Sequence, residues 1–200
     1  MGGSRARPPV RGRPRPARRR AALSRGRIRA LARAFDRAAG TTSWGREERR
    51  LKARLARRRS RGRLRLTRAE LCWIGEWKTP RIRPRIARNT EEGVRGLTEA
   101  AFLVGDDAGR MRLLLGLSGV GLAVASVILH FAEPSRYPVW DVRVRAALAR
   151  LGAGRFPPTP AGWAAYAERL RGLARRRRVT LRTLDKALWQ LGRLRAAMSR

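Results

Sequence analysis

Apolar residues in the last two-thirds of the chain recur every three to four positions, the spacing of helices with one buried face, and polar start signals precede most of these runs. Thr67-Arg-Ala-Glu70 has the Thr-x-x-Glu form in which cap and third residue bond each other reciprocally, and it predicts a helix through about Trp77. Thr79-Pro80 and Pro84 then predict an extended connector, because a residue before proline is pushed out of the helical region. Asn89-Thr-Glu-Glu92 has a similar starting form, and Val94, Leu97, Ala101 and Val104 follow at helical spacing. A short helix over Asp106–Leu115 enters a glycine-rich turn, beyond which Val124, Val127, Ile128 and Phe131 form an apolar stripe. A loop from Glu133 to Trp140 holds two prolines and ends at Asp141. Val144, Ala147, Leu148 and Leu151 share one face of the next helix. Thr159-Pro160 is a cap followed by proline at the first helical position, and Trp163, Tyr166, Ala167 and Leu170 line the helix it opens. Thr180 caps a last helix bearing Leu181, Leu184, Leu188 and Leu191. No segment alternates as a half-buried strand would, so the expected class is all-α.

Charge changes the picture at the front of the chain. The 200 residues carry a formal net charge of +35. Residues 1–65 hold 24 Arg and Lys against 3 acids, and residues 66–200 hold 25 against 11. So few large apolar groups in the first segment give little to offset the entropy of ordering it. The reading is therefore a disordered basic tail over 1–65, with helices near Ile28–Phe35 and Arg46–Arg59 forming on a polyanion, and a helical domain over 66–200. A cationic surface of this size points to nucleic-acid phosphate.

Composition also excludes chemistry. The single Cys72 rules out an intramolecular disulfide, a four-cysteine zinc site and a cysteine-bound iron–sulfur cluster. A lone His130 builds no metal site and is read as a helix residue. Leu113 to Ala132 is uncharged and long enough to span a bilayer, so a membrane anchor is a rival reading. Gly116, Ser118, Gly119 and Gly121 near its start favour a break between two short helices instead. The basic N-terminus has no apolar stretch of a secretory signal, and the expected location is the cytoplasm, in association with the nucleoid.

The densest chemical signal is Leu117-Ser-Gly-Val-Gly121-Leu-Ala-Val-Ala125, with an aspartate at Asp141. Two glycines around one apolar residue make a tight turn that aims backbone N–H groups, backed by the positive end of a helix dipole, at one point. Such a turn is an anion site without side chains. Asp141, at a helix start, is either an ordinary cap or a carboxylate held for chemistry.

These residues, with Tyr137-Pro-Val-Trp-Asp-Val-Arg-Val144, resemble the helix-hairpin-helix–Gly/Pro–Asp superfamily of DNA glycosylases, which includes endonuclease III and the adenine-mismatch glycosylases. The family's pattern is approximately Leu-Pro-Gly-Val-Gly-x-x-x-Ala, an apolar helix, a proline-containing loop and an aspartate opening another helix. Residues 111–152 carry the resemblance and the flanking helices follow it in outline; Ser118 replaces the hairpin proline. The resemblance implies a two-lobed all-α domain, with the hairpin at 107–132 and the aspartate's helix at 141–152. It implies duplex DNA as partner, phosphate held by Gly119, Val120, Gly121 and Ala123, and Asp141 as the catalytic carboxylate. A monomer without membrane contact is expected, with a place for a monovalent cation at the hairpin, and the missing cluster cysteines set the chain apart from members that carry iron–sulfur. Bifunctional members carry a nucleophilic lysine where this chain has Ala123, so a monofunctional, water-using enzyme of base excision repair is expected. The alternative is a noncatalytic hairpin protein that only binds DNA.

The base pocket is expected near Trp73, Trp77, Lys78 and Trp140. Trp73 and Trp77 lie one turn apart and either stack on an extruded base or fill the core. Trp140 faces the same choice. Lys78 supplies either a phosphate contact or a substitute amine, and Glu76 is either a further acid or a solvated helix residue.

Overall fold

The computed structural model describes residues 23–39 and 43–197, which are helical with no strand among them. The elements are α1 (Arg25–Ala39), α2 (Ser43–Ser60), α3 (Arg68–Lys78), α4 (Arg83–Ile86), α5 (Glu91–Leu103), α6 (Asp107–Leu115), α7 (Leu122–Ala132), α8 (Val142–Arg150), α9 (Pro160–Arg177) and α10 (Leu181–Ala197). Capping residues set most starts. Thr67 accepts from the Glu70 N–H at 3.2 Å while Glu70 accepts from the Thr67 N–H at 3.0 Å, so the reciprocal cap is made. Thr90 rather than Asn89 caps α5. The connector after α3 is not extended: Pro80–Ile82 forms a 3-10 turn and Arg83–Ile86 a single α turn. Both prolines stand at the first positions of their turns, where no N–H is needed.

α7 is the central rod, buried without interruption from Val124 to Ala132. α2 and α3 pack on it, α6 precedes it, and α6 also contacts α5 and α9. α10 joins α8, α9 and α1. Asp107 knits α6 to the far side, accepting from Arg136 at 2.9 Å, Arg171 at 3.0 Å and the Tyr137 hydroxyl at 3.1 Å. Burial alone raises its pKa, but the Arg171 hydrogen bond and the two guanidinium charges outweigh that and leave the carboxyl below its ordinary value.

The N-terminal third departs from expectation. Where the sequence predicts a disordered tail over 1–65, residues 23–39 and 43–65 belong to the packed fold; positions 1–22 and 40–42 lie outside the described residues. Ile28 and Leu55 are fully buried, Leu51 nearly so, and Ala32, Leu23 and Leu64 join the same core. A narrow apolar stripe at i, i+4 spacing is enough to dock a helix when the arginines all fit on its outer face. Polar ties add to it: Arg58 donates to Glu70 at 2.7 Å, Arg59 to the Ala132 carbonyl at 2.8 Å, and Lys186 pairs with Asp36 at 2.6 Å. No helix among the described residues is long and apolar enough to cross a membrane. The apolar run 113–132 is broken at 116–121.

Candidate functional site

Three buried hydrogen bonds fix the loop that delivers Asp141. The Ser126 hydroxyl accepts from the Trp140 N–H at 2.8 Å, the Tyr166 hydroxyl donates to the Val139 carbonyl at 2.7 Å, and His130 Nδ1 lies 2.8 Å from the Tyr137 carbonyl. A carbonyl only accepts, so Nδ1 carries the proton, and Nε2 accepts from the Lys52 ammonium at 3.1 Å. Asp141 then opens α8. Its Oδ1 accepts from the Arg143 N–H at 2.9 Å, and its Oδ2 accepts from Lys78 Nζ, also at 2.9 Å. Both side chains are mostly covered, 14% exposed for Asp141 and 16% for Lys78.

This pair lies in the wall of a cavity of about 370 Å³, within the usual range of small-ligand pockets. The C-terminus of α3 contributes Trp77 and Lys78, the start of α8 contributes Asp141, Arg143 and Val144, and α1 contributes Phe35. α10 supplies the remaining face with Arg182, Asp185, Lys186, Trp189 and Arg193. Gly192 makes this possible, because a β-carbon there would collide with the Arg143 carbonyl, two residues past Asp141. Trp189 meets Phe35 edge-on at 5.1 Å and has the Arg143 guanidinium 4.8 Å from its ring centre. The chamber is thus aromatic on two sides and strongly cationic.

Asp185 is the anomaly in this wall. It is 4% exposed; its Oδ2 accepts from Arg182 at 2.9 Å, and its Oδ1 has no hydrogen-bond partner. Burial pushes its carboxyl pKa above the ordinary value, and the charge of Asp141 adds to the rise against the opposing pull of Arg182.

The hairpin is a second feature, separate from the cavity wall. Gly119 has φ +75°, in the left-handed region, and a β-carbon there would stand 2.8 Å from Arg85 Cβ and 3.0 Å from the Ile86 nitrogen. Glycine is therefore required both by its dihedral and by the close passage of α4. Asn89 clamps the turn, accepting from the Ser118 N–H at 2.8 Å and donating to the Ser118 carbonyl at 2.9 Å. A proline at 118 would offer no N–H for the first of these bonds. No side chain caps α7, whose N-cap is Gly121. The Val120 N–H is occupied, donating to the Leu117 carbonyl at 3.0 Å.

Of the residues expected at a base pocket, Trp77 and Lys78 line the cavity with Asp141, whereas Trp73 and Trp140 do not. Trp73 packs on Phe131 at 5.8 Å between ring centres and donates from Nε1 to Glu47 at 2.5 Å. Trp140 is buried against Tyr166, with Arg145 over its face at 4.4 Å. Glu76 pairs with Arg83 at 3.0 Å, outside the cavity lining. Phe35, Arg182, Asp185, Trp189 and Arg193 were not foreseen as pocket residues. Among the described residues, no cluster of three His, Cys, Asp or Glu side chains gathers that could hold a metal. Comparison with protein-family models, curated proteins and solved structures finds no match to this chain.

Proposed function

We propose that the chain is a monofunctional DNA N-glycosylase of base excision repair, which hydrolyses the bond between deoxyribose and a damaged or mismatched base turned out of the duplex. The observation that carries this reading is Asp141, a mostly covered carboxylate fixed by a helix N–H and an ammonium in an aromatic, cationic chamber. Breaking a base–sugar bond builds positive charge at C1′, and a preorganised carboxylate stabilises that charge or orients the attacking water. Trp77, Trp189 and Phe35 offer apolar faces for an everted base, while Arg143, Arg193 and Lys186 meet the phosphates beside it.

The glycine turn supports the same reading as a phosphate grip that reads no sequence, through the N–H groups near Gly119, Gly121 and Ala123. Val120 has no part in the grip through its own N–H, which is spent inside the turn. On this reading the hairpin also takes a monovalent cation and the protein works as a monomer on duplex DNA in the cytoplasm; the single Cys72 cannot supply the cysteine ligands of an iron–sulfur cluster.

Ala123 supplies no amine where bifunctional enzymes have one. Lys78 does lie in the chamber, but an ammonium held by Asp141 has no lone pair to attack C1′. Its role is to orient the carboxylate and screen its charge until DNA arrives.

The test is release of bases from a panel of lesion-bearing and mismatched duplexes by wild type and Asp141→Asn, with alkali revealing abasic sites. The amide keeps an acceptor for the Arg143 N–H and removes the charge, so Asp141→Asn is expected to stay folded while base release falls by about 10²–10³-fold. Borohydride is expected to trap no covalent adduct, and an adduct lost in Lys78→Met would replace water with the amine as nucleophile. Salt-sensitive DNA binding without base release from any duplex would leave the alternative, a noncatalytic hairpin protein.

A further inference from the structure

Resting on the glycosylase reading, we infer that Asp185 is a second catalytic carboxyl, the acid that protonates the departing base, and that the enzyme therefore suits bases presenting a basic ring nitrogen or carbonyl oxygen to the α10 wall. Asp185 lines the same chamber as Asp141, on a helix that the sequence places 44 positions further on. The environments of the two carboxyls differ in the way that separates an acid from a charge-stabilising partner. Asp141 has both oxygens engaged, one by a helix N–H and one by Lys78. Asp185 is buried with one oxygen bonded to Arg182 and the other bonded to nothing. An unbonded carboxylate oxygen in a covered site is costly, whereas a carboxylic acid there keeps a proton ready for an acceptor.

The groups that set the protonation of Asp185 are Arg182 on its own helix and, facing it, Asp141 and Lys78. Tyr166 also feels its charge. Arg143, Lys186 and Arg193 complete the charged lining. Asp141 favours the protonated form, while Arg182 stands ready to stabilise the carboxylate left after transfer.

The step balances. The C1′–N bond breaks with its electron pair going to the base, and the Asp185 proton moves to the base nitrogen or oxygen. Water forms the new C1′–O bond and yields its proton to Asp141. Asp185 leaves as a carboxylate paired with Arg182, and solvent exchange returns both carboxyls to their starting states.

The experiment compares wild type, Asp185→Asn and Asp141→Asn on the duplex that wild type cleaves best. Asp185→Asn is expected to lose about 10²–10⁴-fold in the rate of base release. Binding to a duplex with an uncleavable nucleotide should stay unchanged, and the loss should shrink for bases that leave without protonation. Loss equal for good and poor leaving groups would overturn the assignment, as would an Asp185→Asn enzyme that matches wild type while Asp141→Asn is dead; the glycosylase reading survives both results. Absence of base release by wild type would remove both together. Should Asp185→Asn fail to fold, carbon-13 aspartate NMR of the wild-type protein decides: one carboxyl carbon protonated at the assay pH supports the acid, and none overturns it.

Discussion

Leu55 offers the most direct test of whether α2 is part of the fold or an appendage. Its side chain is fully buried, on the helix that packs against α7, and Leu51 one turn earlier is 2% exposed. Truncation to alanine removes the transfer energy of the side chain and leaves a void lined by a rigid neighbour, a loss of about 2–5 kcal/mol. For a domain of this size each kcal/mol lowers the melting temperature by about 2–4 °C, so Leu55→Ala should melt roughly 4–20 °C below wild type. The control is Leu103→Ala, because Leu103 is 79% exposed and its loss should change stability by no more than about 0.5 kcal/mol. Thermal and urea unfolding followed by circular dichroism measure both. If Leu55→Ala matched the Leu103→Ala control, the docking of α2 on α7 would be wrong.

Two further outcomes follow from the packing. His130 is held neutral, its pKa pushed well below the ordinary value by burial and then by Lys52, Arg182 and Lys186, against the opposing hydrogen bond to Tyr137. The unfolded chain takes up a proton there below about pH 6.5 and the folded one does not, so His130 makes stability fall on acidification by up to about 1.4 kcal/mol per pH unit. Urea midpoints measured across that range should show the slope in wild type and a flatter one in His130→Gln; equal slopes would count against the neutral buried ring. Gly192→Ala should cost about 1–3 kcal/mol, since a β-carbon meets the Arg143 backbone rather than a yielding side chain, and Trp189 emission should shift as α10 backs away from α8. An unshifted spectrum with full stability would contradict that close crossing.

Apart from the short turns at 80–86, the helices from Thr67 onward were legible because caps and apolar stripes agree locally. Thr67 with Glu70, Thr159 before Pro160 and the run Val124–Phe131 each announce themselves within a few residues. The docked state of α1 and α2 was hidden by arginine: Ile28, Ala32, Leu51 and Leu55 are few, and average composition drowns a stripe only two or three residues long. Asp141 and the glycine turn could be singled out from their spacing. Asp185 could not be joined to them, since its partner arrives through tertiary packing. One local sign was present, an acid between Leu184 and Leu188 on the buried side of α10. Trp73 and Trp140 carried no mark to separate them from Trp77, because which side of a helix meets a chamber depends on neighbours the sequence does not place.

The pairing of α1 with α10 sets a clock on biosynthesis. α1 leaves the ribosome well before α10, and its surface partner is made only when residues 181–194 emerge. At about 5–20 residues per second, the nascent helix waits roughly 8–30 s with Ile28 and Phe35 uncovered. Like charges on Arg25, Arg27, Arg29, Arg33 and Arg37 repel other copies of the same helix during that interval, which opposes association through its uncovered face.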